Sequence, residues 1–248
     1  MEVNKIAHRG LSAWAPENTE LAFRLARECD CFGIECDIWR MMDVTYVVSH
    51  DNSLKKMCGI KKLITESTYE DIKDYPVIGG NAVAESPTQH ICTLQRFLHV
   101  VAESDKAAFI ELKQELGNRE LQEILEIVRS YDMYERTFFI SGMAKSLLRL
   151  RHDLCFPRER LQYVHGTRAR DAYVPVNEAL LDRLIAHGIG LDSKSSLLDE
   201  KAVDRLHDEG LLVNAWTIDT KKDYRRVVDS LGVDMITMND VRVNFEEE

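Results

Sequence analysis

The sequence predicts an α/β protein, a single (β/α)8 TIM barrel. Three observations carry that expectation. Short apolar runs rich in β-branched residues alternate with amphipathic stretches, as βα units around a parallel sheet require. Eight such runs occur, and the 248-residue chain matches the roughly 250 residues typical of this barrel. Finally, the polar residues able to do chemistry gather where those runs end, and barrels of this kind build active sites at the strand C-terminal ends.

The elements follow in order. A first strand is expected over residues 3–7 and a helix over 18–27; the second strand covers 33–37 and is extended by the apolar run 44–49. The third strand, 107–112, precedes a helix at 120–129, and the fourth, 137–141, a helix at 145–152. The fifth, 161–164, leads to a helix at 178–187, and the sixth, 188–192, to one at 200–209. The seventh, 211–216, is followed by a helix at 222–231, and the eighth is 233–237. Residues 52–91 break this rhythm, with one short helical piece at 67–73 and the turn residues Gly79, Gly80 and Pro87. Their composition is not low-complexity, so they read as an ordered excursion capping the active-site face of one domain spanning 1–248.

Composition narrows the function. No run of 18 or more apolar residues is present, so no membrane-spanning helix is expected. The N-terminus lacks the charged and apolar regions of a signal peptide, which points to a cytoplasmic protein. Among the six cysteines only Cys29 and Cys31 are closely spaced, and no second pair completes a zinc site; reduced, mostly buried thiols are expected. A formal net charge of −10 without a Lys/Arg run argues against nucleic acid or anionic membrane as partner. A small anionic substrate requires a few cationic groups and a metal to invert the field locally. The sequence leaves the oligomeric state open.

Strand side chains alternate faces, so Glu35 and Asp37 point one way and Cys36 the other. Two carboxylates side by side repel unless protonated or bridged by a cation. Oxygen donors of this kind suit a hard divalent ion, Mg²⁺ or Ca²⁺, with Mn²⁺ also compatible. Glu111 and Lys113 repeat the spacing on the third strand, offering a third ligand and a counter-charge for phosphate. His8-Arg9-Gly10 follows the first strand directly: arginine suits bidentate phosphate recognition, and glycine allows a tight exit. His50 ends the apolar run 44–49. Two histidines beside a metal site meet the needs of phosphodiester cleavage, one accepting a proton from the nucleophile and one donating to the leaving alkoxide. Pro16-Glu17-Asn18-Thr19 is read as structural, with Asn18 or Thr19 capping the first helix.

In order and spacing, His8-Arg9-Gly10, Pro16-Glu17-Asn18-Thr19, Glu35-x-Asp37, His50-Asp51, Glu111-x-Lys113 and Asn214-Ala215-Trp216-Thr217 resemble the glycerophosphodiester phosphodiesterase family. The resemblance runs from His8 to Gly232-Val233-Asp234. It implies a barrel with a small helical insertion after the second strand and one divalent cation held by Glu35, Asp37 and Glu111. It further implies catalysis by His8 and His50, phosphate binding by Arg9 and Lys113, and a glycerol pocket lined by Trp216. The implied reaction is glycerophosphodiester hydrolysis to glycerol 3-phosphate and an alcohol. The attacking group would be the substrate's own glycerol 2-hydroxyl, through a cyclic phosphate, with His8 as first-step acid and His50 as base. The chain departs from the family's pattern after Asp51, at Ser141-Gly142-Met143 and at Thr237-Met238-Asn239-Asp240, positions bearing on substrate preference. Two alternatives are a lysophospholipase D-like phosphodiesterase, which needs an apolar surface around the mouth, and a catalytically silent phosphate-binding barrel. The latter would have lost one of His8, His50, Glu35, Asp37 or Glu111, and all five are present.

Overall fold

In the computed structural model, which describes residues 3–166 and 174–245, eight parallel strands close on themselves. The chain runs β1 (Asn4–Ala7), α1 (Glu20–Arg27), β2 (Gly33–Arg40), β3 (Tyr46–Val48), α2 (Lys55–Cys58), α3 (Leu94–Ala102) and β4 (Ala107–Leu112). It continues through α4 (Asn118–Ser130), β5 (Thr137–Ser141), α5 (Ala144–Leu148), β6 (Leu161–His165), α6 (Glu178–His187) and β7 (Gly190–Lys194). The last elements are α7 (Glu200–His207), β8 (Val213–Trp216), α8 (Lys221–Tyr224) and β9 (Met235–Met238). β1 pairs in parallel with both β2 and β9, which closes the barrel. Among the described residues no helix is long and apolar enough to cross a membrane.

Two apolar layers hold this arrangement. Outward side chains such as Ile34, Cys36, Ile110, Leu112, Phe139 and Leu191 pack under the helices in the main core. Inside the barrel, Ile6, Ala107, Phe109, Phe138, Ile140, Val164 and Met235 form a separate cluster. Helix α1 shows how local sequence serves the outer layer. Thr19 caps it by accepting from the Ala22 amide at 3.3 Å, Glu20 and the pair Arg24/Arg27 complement its dipole, and Ala22, Phe23 and Ala26 turn inward.

The structure corrects several expectations. The run 44–49 does not extend the second strand. Instead β2 continues to Arg40, the chain reverses, and β3 returns antiparallel with Ile38 opposite Val48. An apolar run of that length reads the same in either direction, so only the turn decides. The expected helical piece at 67–73 is a series of turns, and the short helix of that segment is α2. The strand expected at 188–192 lies two residues later, because Gly188 is spent as the left-handed cap of α6 at φ 65°. The segment after β3 packs a small core of Leu54, Cys58, Ile64, Ile72, Val77 and Ile91 against Met41 and Val47 of the β2–β3 hairpin. It is tied to the loop after β1 by Asn81, which donates to the Ser12 carbonyl at 2.8 Å, and by the Lys56–Glu17 ion pair at 3.2 Å.

Candidate active site

Adjacent strands bring the carboxylates together. In the β2–β4 register Asp37 lies beside Glu111 and Glu35 beside Phe109, so the inward face changes from aromatic to acidic in one two-residue step. One ligand oxygen from each of Glu35, Asp37 and Glu111 lies within 4.8 Å of the others. Burial first, then the Asp37 charge, push Glu35 well above the usual carboxylate range. Burial likewise raises Glu111 to about 7, against the pull of Lys113. Burial also pushes Asp37 up, but Lys113 and Arg9 outweigh it and hold that carboxyl well below its ordinary value. Three oxygen-donor groups, two buried and Glu111 partly so, that resist sharing ionised charge form a donor set suited to one hard divalent cation. The residues present therefore fit such an ion.

The cationic groups interlock with this cluster. Lys113 Nζ stands 3.0 Å from Glu111 Oε1 and 3.2 Å from Asp37 Oδ1. Arg9 takes left-handed backbone at φ 57°; its amide donates to Glu35 Oε2 at 2.8 Å, while its guanidinium contacts Asp37 at 3.3 Å and Glu17 at 2.9 Å. The following Gly10 has φ 80°, and a Cβ there would come within 2.6 Å of the Ala22 carbonyl carbon, so only glycine lets α1 approach so closely. Asn18, also left-handed at φ 60°, does not cap α1, a role Thr19 fills alone. Its amide donates to Asp37 Oδ2 at 2.8 Å and its carbonyl oxygen accepts from the Asp37 amide. Asn18 and Glu17 thus orient the charged cluster, a role the sequence reading left out because both residues sit in what looks like an ordinary capping motif.

A pocket opens over these groups, lined by His8, Arg9, Glu35, His50, Glu111, Lys113, Ile140, Val164, Asp192, Trp216 and Thr237. Every residue singled out from sequence lines it except Asp37, which lies behind the others. His50 arrives on the return of the β2–β3 hairpin, where the Ser49 amide donates to the Asp37 carbonyl at 3.0 Å. Its Nδ1 pairs with Asp51 Oδ1 at 2.8 Å. On its other side His50 borders a second cleft lined by Lys56, Met57, Gly79 and Gly80 of the 52–91 segment. His8 Nδ1 pairs with Asn239 Oδ1 at 2.8 Å. Trp216 packs on the interior apolar cluster and donates to the Asp192 carbonyl at 3.3 Å. Asp192 itself is buried, its carboxyl pushed well above the usual range by burial and by the Glu111 charge.

Comparison with known proteins agrees with this geometry. The sequence model of the Glycerophosphoryl diester phosphodiesterase family matches residues 8–243. A glycerophosphodiester phosphodiesterase of Caldanaerobacter subterraneus is 28% identical, over 97% of this chain and 95% of its own length. A crystal structure of a glycerophosphodiester phosphodiesterase from Parabacteroides distasonis superposes with a TM-score of 0.75 at 25% identity, covering 96% of this chain and 94% of that one. An Oleispira antarctica phosphodiesterase, solved with its product sn-glycerol-3-phosphate, superposes at 0.80 with 22% identity, over 95% and 92% of the two chains. With a family match over nearly its whole length and the same barrel, this chain belongs to the glycerophosphoryl diester phosphodiesterase family and is a phosphoric diester hydrolase.

Proposed function

We propose that the chain hydrolyses glycerophosphodiesters to glycerol 3-phosphate and an alcohol in a metal-dependent, two-histidine reaction at this pocket. The observation that carries the reading is the convergence of two histidines, two cations and the carboxylates of Glu35 and Glu111 on one cavity at the strand C-terminal ends, with Asp37 directly behind them. The product bound in the Oleispira relative supports the same product here. Glu35, Asp37 and Glu111 would hold a hard divalent ion, which when bound supplies positive charge for the phosphoryl oxygens.

The chain's own groups do the rest. Arg9 and Lys113 attract the phosphate, and the carboxylates that hold them in place keep both fully charged. Trp216 offers an apolar wall for the glycerol carbons, while Ile140 and Val164 exclude water from the pocket floor. One histidine takes the proton of the attacking hydroxyl as the new P–O bond forms, and the other protonates the departing alkoxide as the old P–O bond breaks. The glycerol 2-hydroxyl is the favoured nucleophile, since its tether to phosphorus removes the entropy of recruiting a second molecule. The roles then reverse as water opens the cyclic phosphate.

The test is an assay of purified protein against a glycerophosphodiester panel, before and after chelation. Activity should vanish with chelator and return with Mg²⁺, Ca²⁺ or Mn²⁺, and Glu35→Gln should fold normally yet need far more metal. Full activity in metal-stripped protein would refute the metal site. Normal turnover of a 2-deoxy substrate analogue would replace the cyclic phosphate by direct water attack.

A further inference from the structure

Asn239, just beyond β9, touches His8 across the closing seam of the barrel, and its amide has a readable orientation. Its Nδ2 donates to Asp219 Oδ2 at 2.6 Å, and its backbone amide donates to Asp219 Oδ1 at 3.1 Å. A carboxylate only accepts, so Asp219 fixes which end of the Asn239 amide is nitrogen. The other end, Oδ1, must then face His8, and it also accepts from the Ser12 hydroxyl at 3.0 Å. An amide oxygen offers no proton to the imidazole. His8 Nδ1, 2.8 Å away, must therefore carry the hydrogen.

We propose that Asn239, oriented by Asp219, is a positioning residue that holds His8 in the Nδ1-protonated tautomer and so presents a bare Nε2 to the pocket as a proton acceptor. The catalytic half of this rests on the two-histidine reading above; the tautomer does not. The rest of the surroundings keep the ring neutral. Burial first and the Arg9 guanidinium second pull His8 down to about 4, against Asn239 and the carboxylates of Asp37 and Glu17. A neutral ring with Nδ1 already protonated has only one function left at Nε2, which is to accept.

The contrast with His50 assigns the complementary part. Its Nδ1 partner is the Asp51 carboxylate, not a neutral amide, and a carboxylate favours the imidazolium. Burial lowers His50 as well; the Lys113 and Arg9 charges add to that shift, and Asp37 and Asp51 oppose it. In the first step His8 Nε2 takes the hydroxyl proton as the oxygen bonds to phosphorus; His50 gives its proton to the alkoxide released from phosphorus. This reverses the assignment expected from sequence, where nothing distinguishes the partners of the two rings.

The experiment is long-range ¹H–¹⁵N NMR of the full chain labelled at its eight histidines, with the His8 ring assigned from a His8→Asn spectrum. Wild-type protein near neutral pH should show a pyrrole-type Nδ1 and a pyridine-type Nε2 at His8. Asn239→Leu should lose that pattern to the mixture of a free imidazole, and Asp219→Asn should weaken it by letting the amide turn over. In parallel, Asn239→Leu should lower kcat at least ~10-fold with little change in KM, because a misplaced proton disables a base without removing substrate contacts. A pyrrole-type Nε2 in wild type overturns the proposal whether or not any variant folds. A changed tautomer with unchanged kcat overturns its catalytic half. Absence of glycerophosphodiester turnover in wild type would instead remove the proposed function and leave the tautomer result standing.

Discussion

The two ends of the barrel interior are built from the same strands and could hardly differ more. Toward the strand N-termini, Phe109 and Phe138 stack with ring centres 4.4 Å apart, and Phe32 meets both edge-on at 6.1 and 6.0 Å. Ile6, Ala107 and Met235 fill the space around them. Toward the C-termini the same inward faces carry Glu35, Glu111, Lys113 and Asp192, with Arg9 and His8 reaching in from the loop after β1. On β4 the change takes two residues, from Phe109 to Glu111. The lower end buries mainly apolar area, with Gln162 against Met235 as a polar exception, whereas the upper end concentrates charges that oppose burial. Apolar packing and the charged groups therefore occupy separate layers of the barrel interior, and substitutions in each should be read by different instruments.

That division can be broken or sharpened by experiment. The largest effect belongs to the lower layer. Phe138→Ala should reduce unfolding free energy by about 3–5 kcal/mol, as cavities left by core aromatics do, and urea denaturation measures it. The kcat/KM of the remaining folded protein should stay unchanged; a parallel loss of turnover would show that the layers are not separate. Next comes the upper layer. His8→Ala and His50→Ala should each cost at least ~10²-fold in kcat, the usual scale for a positioned acid or base, with the Tm near that of the parent. An intact kcat would remove that histidine from the reaction. The smallest expected effect is Arg9→Lys, on the order of 10-fold in kcat/KM or ~1.4 kcal/mol, because lysine keeps the charge and loses the bidentate fork. An unchanged kcat/KM would mean that Arg9 serves only Asp37 and Glu17.

Much of the upper layer was legible from period-two alternation and strand ends. Glu35 and Asp37 had to share a face, and Glu111 and Lys113 had to repeat the pattern one strand further. What could not be read was any contact that depends on closure. Asn239 meets His8 across 231 residues, and Asp219 joins them from the loop after β8; no local pattern connects the three. Asn18 was missed for another reason, since its sequence neighbours spell a helix cap and the left-handed backbone that turns its amide toward Asp37 is invisible in the letters. The reversal at β3 escaped because Met41 to Thr45 lacks the glycine or proline that marks most tight turns.

The β2–β3 hairpin has a consequence for how the site is assembled in time. Ile38 and Val48 are ten residues apart in sequence, whereas β1 and β9 pair residues near the two ends of the chain. Local contacts form before distant ones because closing a short loop costs less entropy. His50 and Asp37 are therefore expected to meet early, within the first fifty residues, while His8 waits for β9 and Asn239. Pulse-labelled hydrogen exchange during refolding should protect the hairpin amides before those of β1 and β9. On a ribosome releasing the chain from its N-terminus, one histidine would find its place while most of the barrel was still unmade, and the other only when the final strand emerged. The phosphodiester site would then switch on at the last step of folding, with no partly folded chain able to work.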